Sequence, residues 1–513
     1  MVYGGKPSTG CYLCRNRKIK CDEAHPGCRN CAVYGRPCPG YRPDTIFRIE
    51  TGKAKGSRKG SKPPSARSIR EINLGDQQRT SSVSVYRLSD SPWKERAVCY
   101  FFDQYTSCDK PDGGSHLGFI PTLYAGCGQD ATQPAACLRF AVDAAALLTL
   151  GNQVKASSLV TQARQRVALS VQRLRQALDS PVERVTDNTF AAMVILALFE
   201  DISGERNGLA SSHTVGFEAL MKLRGESLLN EQGLDLFKFA YVHTRIEALL
   251  LRQKPRFNTQ DLIMRLNPTD PLQRLMMIVN QLDPVSLEIP FTADAIDPAI
   301  ITTLASRIEF CRTLDSELAA WSQSLPTSWL PHACHSHSGE DVLTYQGKFL
   351  ASTWSHYHAV RILLQLTLLD LLQNLASIVS SNGIQREAIR QEAEGSRLIQ
   401  SFISDTCRAL SFSFGEIDQL GNPLISQGAS QIRAFNVYHM IWPLWYILTC
   451  GHATPPQAQK IRRALAEKGS EAGIKLAVVL AGVGSWETVP SMLGSISPSG
   501  EGHTVLTDAG VQD

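Results

Sequence analysis

Six cysteines, Cys11, Cys14, Cys21, Cys28, Cys31 and Cys38, carry the most specific chemistry in the chain. They are spaced C-x2-C-x6-C-x6-C-x2-C-x6-C, a three-thiol unit C-x2-C-x6-C written twice. Thiolate is a preferred ligand of structural zinc, which takes four ligands in a tetrahedron. Six sulfurs supply the bonds of two zinc ions only if two of them bridge. The repeat nominates the first cysteine of each unit. One ion would then see Cys11, Cys14, Cys21 and Cys28, and the other Cys28, Cys31, Cys38 and Cys11. A segment this short cannot bury a core, so metal binding would supply its folding energy.

Two other readings of the thiols are weaker. A disulfide-knotted secreted domain is opposed by the x2 spacing, which is typical of metal sites, and by a start, Met1 to Gly10, with no apolar run. A thiol metal buffer has no need of the cations inside the cage. Arg15, Arg17, Lys18 and Lys20 lie between the second and third cysteines. Residues 1–70 hold 16 Lys/Arg against 4 Asp/Glu, whereas the rest of the 513-residue chain holds 36 against 44. A basic arm on an acidic body is the charge pattern of a nucleic-acid binder, and the whole-chain value of +4 conceals it.

The run Cys11-Tyr12-Leu13-Cys14-Arg15-Asn16-Arg17-Lys18-Ile19-Lys20-Cys21-Asp22-Glu23, then His25-Pro26-Gly27-Cys28 and Cys31 to Cys38, closely resembles the fungal binuclear zinc cluster (Zn2Cys6) DNA-binding domain. The resemblance implies two zinc ions per chain. It also implies a helix in the major groove of double-stranded DNA, with Arg17 and Lys18 reading bases. Lys18 would donate to O6 and N7 of guanine in a CGG-type site. Arg15, Lys20, Arg29 and Arg36 would reach phosphates, which position the module without specifying sequence.

The elements that carry this arm follow in order. The expected organisation is a zinc cluster over 1–42, a basic Ser/Gly/Pro-rich disordered linker over 43–92, an all-α body over 93–481 and a flexible acidic tail over 482–513. The fold class is thus a small metal-stabilised cluster followed by a large all-α regulatory domain. The linker cations, such as Lys53, Lys55, Arg58 and Lys59, suit nuclear import or extra phosphate contact. Residues 41–92 show no sustained heptads, so any homodimer contact lies in the body. No Lys or Arg follows Lys475, and a thinly acidic tail of this kind reads first as an inert terminus and only second as a contact for transcription machinery.

From Trp93 to about Ala481 the apolar periodicity is helical. Phe190 to Phe199 reads as a buried helix. Leu159 to Leu178 reads as a second helix, and Ala359 to Leu375 as a third, opened by Trp354-Ser355-His356-Tyr357-His358. Asn382-Gly383 and Gly421-Asn422-Pro423 mark loops. Trp442 and Trp445 are expected in the core around a kink at Pro443. No apolar run looks long enough to span a bilayer, since the best, around Met440–Cys450, is short. The remaining cysteines are scattered and read as buried, reduced thiols. The body resembles the helical fungal-specific transcription factor domain, in His213-Thr214-Val215-Gly216 through Leu223-Arg224-Gly225, in Trp354 to Ile362 and in Trp442-Pro443-Leu444.

Other constellations carry less. His332, Cys334, His335 and His337 read as a polar loop, and His356 and His358 fall on different sides of a helix. No P-loop, G-x-S-x-G or G-x-G-x-x-G occurs, so no enzyme is expected. The expected function is a nuclear, sequence-specific transcription regulator of a metabolic or biosynthetic pathway. The alternative is a ligand-sensing regulator whose helical body binds a small metabolite and switches DNA binding.

Overall fold

The structure is a computed structural model. It describes residues 9–24, 27–40, 87–106, 117–128, 135–206, 211–251, 253–255, 257–282, 298–379, 381–424 and 432–483. The chain divides into two compact units, residues 1–81 and 82–513. The linker cations, His25, Pro26 and the acidic tail lie outside the described residues.

In the first unit the thiol repeat becomes a structural repeat. Helices α1 (Tyr12–Asn16) and α2 (Arg29–Val33) each start after a cysteine whose sulfur accepts the backbone N–H three residues on, Cys14 to Cys11 at 3.4 Å and Cys31 to Cys28 at 3.3 Å. The sulfur takes the place of the usual oxygen cap. Each helix is closed by a left-handed residue, Lys18 with φ 54° and Gly35 with φ 70°. The backbone bonds repeat as well. Ile19 N–H donates to Cys14 C=O at 3.1 Å, and Arg36 N–H to Cys31 C=O at 3.2 Å.

The second unit is helical. Its helices run α3 (Arg87–Tyr105), α4 (Ile120–Gly126), α5 (Ala136–Gln153), α6 (Ser157–Asp179), α7 (Asp187–Ser203), α8 (Thr214–Arg224), α9 (Glu231–Leu251), α10 (Gln260–Ile263), α11 (Pro271–Asn280) and α12 (Pro298–Gln323). A two-stranded antiparallel hairpin, β1 (His332–His335) with β2 (Asp341–Thr344), separates these from α13 (Lys348–Ile378), α14 (Asn382–Ser413), α15 (Ala434–Thr449), α16 (Pro455–Ala472) and α17 (Lys475–Gly482).

Two helices organise the interior. Helix α7 is apolar all round and buried along nearly its whole length, as Phe190 to Phe199 implies. It is capped at its start by Thr186 Oγ1, which accepts from Thr189 N–H at 3.3 Å, and ended by Gly204 at φ 70°. Helix α13 has two apolar faces. Ile362 and Leu369 join the larger core, with residues of α5, α7 and α15. Leu364, Leu368 and Leu371 join a second core, with residues of α12 and the hairpin. The helix therefore forms a wall between the two cores.

Several expectations are corrected. Helix α3 is already formed at Arg87, ahead of Trp93. Helix α13 starts at Lys348, so Trp354 to His358 lie inside it and do not open it. By length and composition α13 is long enough to cross a membrane, against the expectation that no run suffices, but more than half of its apolar window is buried in the body, which marks a core helix. Asn382-Gly383 form the first turn of α14, where the Gln385 N–H donates to the Ser381 carbonyl at 3.1 Å. His332 to His335 form a strand, because Thr344, Leu343, Val342 and Asp341 pair with them. Cys99 is exposed, whereas Cys127, Cys137, Cys311 and Cys407 are buried.

Candidate metal centre and nucleic-acid interface

The six sulfurs of the first unit converge on one point. Cys11, Cys14, Cys21 and Cys28 form one group and Cys11, Cys28, Cys31 and Cys38 a second, each with all its sulfurs within 4.8 Å of one another. Cys11 and Cys28 belong to both groups. Sγ–Sγ distances of 3.6 Å join Cys11 to Cys28, Cys11 to Cys31 and Cys14 to Cys28. A disulfide requires about 2.05 Å. A tetrahedron of sulfurs ~2.3 Å from a central zinc has edges of about 3.8 Å. The cage therefore has the dimensions of two fused zinc tetrahedra that share an edge.

The protonation pattern of the thiols suits the same group. Burial, reinforced by sulfur contacts with Cys11 and Cys28, pushes the Cys14 thiol up to about 12. Burial also raises Cys28 and Cys31. Cys21 and Cys38 go the other way, to about 7, chiefly because the backbones of Cys11 and Cys28 donate hydrogen bonds to them. Cys14, Cys28 and Cys31 hold protons unless a cation replaces them, and Cys21 and Cys38 are already disposed to be thiolates. Zinc would supply that cation and tie the two helices together.

The cations around the cage are not equivalent. Lys18 is exposed just past the end of α1, and Lys20 and Arg29 are also exposed. Arg17 lies with its guanidinium carbon 3.5 Å from the centre of the Tyr34 ring. Arg15 is half-buried, with its guanidinium carbon 6.0 Å from the Tyr12 ring. Lys18 thus lies exposed at the helix end, while the guanidinium of Arg17 lies over the Tyr34 ring.

Three residues that sequence reasoning passed over hold this surface in shape. Asp22 accepts the Arg29 backbone N–H, at 3.0 Å on one oxygen and 3.2 Å on the other, which fixes the start of α2. Asn30 donates from Nδ2 to the Lys20 carbonyl at 2.7 Å and ties the basic loop to the second helix. Tyr34 supports Arg17. The signal that finds Tyr34 is the 17-residue offset between Cys11 and Cys28. That offset sets Arg15, Arg17, Lys18 and Lys20 against Ala32, Tyr34, Gly35 and Pro37. The halves share a backbone, but these four cations have no counterparts in the second half, whose own cations, Arg29 and Arg36, stand at other places in the repeat.

The remaining histidine sites do no comparable work. The metal-compatible groups among the described residues are the two cysteine sets. His335 pairs instead with Asp341 across the hairpin at 3.1 Å. His358 stacks on Phe402 and contacts Thr406 Oγ1 at 3.0 Å, while His356 contacts the Ser352 carbonyl on another side of α13. Trp445 is buried in the core, and Trp442 is half-buried beneath the Arg206 guanidinium.

Residues 9–45 match the fungal Zn(2)-Cys(6) binuclear cluster domain. The amino-terminal segment is thus a zinc-binding module of a family that holds two zinc ions, and a mostly helical body follows it. A Zn(2)-C6 fungal-type transcription factor of Gibberella zeae is 56% identical over 44 residues, 9% of this chain and 9% of that protein. The Zn(2)-C6 fungal-type transcription factor afumD of Aspergillus fumigatus is 33% identical over 120 residues, 23% of this chain and 26% of the relative. The aspercryptin biosynthesis cluster-specific transcription regulator atnN of Emericella nidulans is 32% identical over 136 residues, 26% of this chain and 21% of that protein. The chain therefore spans about a quarter or less of the length of these relatives. They are transcription factors by name and not enzymes. No solved structure matches the chain.

Proposed function

We propose that this protein is a nuclear, sequence-specific DNA-binding regulator of transcription. The observation that carries the reading is the pair of four-sulfur groups sharing Cys11 and Cys28, which hold the four cations between Cys14 and Cys21 on the first helix and its loop. In this reading the cage binds two zinc ions through Cys11, Cys14, Cys21, Cys28, Cys31 and Cys38. Lys18 enters the major groove and donates to O6 and N7 of guanine in a CGG-type site. Arg15, Lys20 and Arg29 contact phosphates, and Arg17, braced by Tyr34, adds a fixed positive charge beside Lys18. The helical body supplies the homodimer contact and the surface for the transcription machinery.

Regulation of a biosynthetic or other metabolic pathway is supported by the likeness to atnN, whose alignment is longer than the zinc cluster itself. Binding to duplexes containing and lacking CGG, with and without a strong chelator, tests the reading. Binding that ignores the chelator, or that shows no preference for CGG, would sink it. A second reading, a regulator whose body senses a small molecule, is favoured by a cavity among α9, α11, α13 and α15.

A further inference from the structure

We propose that the helical body binds an uncharged, largely apolar small molecule bearing one hydroxyl, seated among α9, α11, α13 and α15 with that hydroxyl donating to Nε2 of His356. This inference gives the second reading its ligand chemistry and rests on that reading. Three chambers of about 120, 60 and 40 Å³ share Ile246 and His356 in their walls. Leu249, Leu275, Val360 and Trp442 make most of the remaining surface apolar. An apolar cavity of ~150 Å³ takes up benzene, so the 120 Å³ chamber suits about one ring, and a second fused ring would have to reach into a neighbouring chamber.

Most polar groups in these walls are already committed to protein partners. Tyr241 donates its hydroxyl to the Met276 carbonyl at 3.2 Å. Ser352 and Thr353 donate theirs to the Phe349 carbonyl at 2.8 and 3.0 Å. Arg245 spends Nη2 on the carbonyls of Val279 and Asn280, at 3.0 and 3.1 Å.

His356 differs from these groups. Its Nδ1 lies 2.8 Å from the Ser352 carbonyl. A carbonyl only accepts, so Nδ1 carries the proton. Burial holds the ring's pKa below its ordinary value, which keeps the ring neutral. Nε2 is therefore an acceptor on a residue that lines all three chambers, and no hydrogen bond between described residues reaches it. A hydroxyl satisfies that acceptor. A carboxylate would meet its lone pair and be repelled, and an ammonium would lose its hydration in apolar surroundings.

Equilibrium dialysis of the zinc-loaded full chain against 1-naphthol, naphthalene and 1-naphthoate tests the proposal. One neutral hydrogen bond should favour 1-naphthol over naphthalene by about tenfold, with 1-naphthoate weakest. His356→Phe should keep naphthalene binding and cut the naphthol preference to about onefold, whereas Val360→Phe, which crowds the two larger chambers, should weaken all three. Should either variant fail to fold, the order of the three probes on the wild-type chain still decides. Absence of arene binding, equal affinity for naphthol and naphthalene, tighter binding of naphthoate, or a preference that survives His356→Phe would each overturn it. Duplex binding by the same preparations is read separately, so failure of the DNA reading is distinguished from failure at the cavity.

Discussion

Lys18 and Gly35 stand at the same place in the two halves of the zinc cluster, and both have left-handed backbone, with φ of 54° and 70°. The second half uses glycine, which adopts this conformation freely. The first half uses lysine, at a cost of about 1 kcal/mol. Strain held at an exposed cation beside a metal cage supports the base-reading role proposed for the Lys18 side chain.

That relationship sets the first test. Lys18→Gly should leave zinc content unchanged and stabilise the zinc-loaded cluster by up to ~1 kcal/mol, while abolishing preference for CGG in a duplex-binding assay. Lys18→Ala should also lose preference, without the gain in stability. Arg29→Ala should weaken binding to every sequence alike, because phosphate contacts carry no sequence information. Equal loss of preference from Lys18→Ala and Arg29→Ala would contradict these roles.

A second test follows from Arg17 and Tyr34, whose stacking distance is 3.5 Å. Tyr34→Ala should leave the zinc ligands in place and free the guanidinium. Affinity for duplex should fall about two- to fivefold, the worth of one exposed cation–π contact. Tyr34→Phe should behave as wild type. Fluorescence anisotropy with a labelled duplex reads the difference, and a loss as large as that of Lys18→Ala would mean that Arg17 itself reads bases.

The thiols give a pH dependence with a definite sign. Cys14, at about 12, and Cys28 and Cys31, also raised, bind protons that zinc must displace. Zinc affinity should therefore rise with pH and be lost as pH falls, by more than about tenfold per pH unit when several protons are exchanged. Competition with a chromophoric chelator between pH 6 and 8 measures the slope. Complete chelation should unfold the cluster and leave the helical circular dichroism and thermal transition of the body nearly unchanged. Collapse of the body on chelation would contradict this separation.

How much of this was legible before the structure depended on whether the deciding contacts were local. The cage was readable because cysteine spacing alone restricts which sulfurs meet. Helix α7 was readable because an all-apolar run has one stable placement. The start of α13 was misjudged because Ser355, His356 and His358 look like helix-opening residues, yet Ser355 is satisfied by the Ala351 carbonyl at 2.9 Å and His358 by Thr406. The hairpin was missed because His332 to His335 is a strand only by virtue of its partner. The cavity depends on four helices far apart in sequence, and no periodicity announces it. Tyr34 was within reach, since the repeat places it opposite Arg17.

The body offers an independent test of what holds it together. Arg361 on α13 makes a two-point contact with Asp315 on α12, Nε to Oδ1 at 2.8 Å and Nη2 to Oδ2 at 2.7 Å, and its Nη1 donates to the Tyr357 hydroxyl at 3.1 Å. The pair is largely buried and links the wall helix to its neighbour. Asp315→Asn removes the charge and leaves a guanidinium without compensation, which should cost about 2–3 kcal/mol and lower the Tm of the body. Asp315→Leu combined with Arg361→Met exchanges the pair for apolar volume and should recover most of the loss, because the desolvation cost of both charges disappears with them. Zinc content should be the same in both variants. If the double variant is no more stable than Asp315→Asn, the contact contributes through geometry that apolar packing cannot replace.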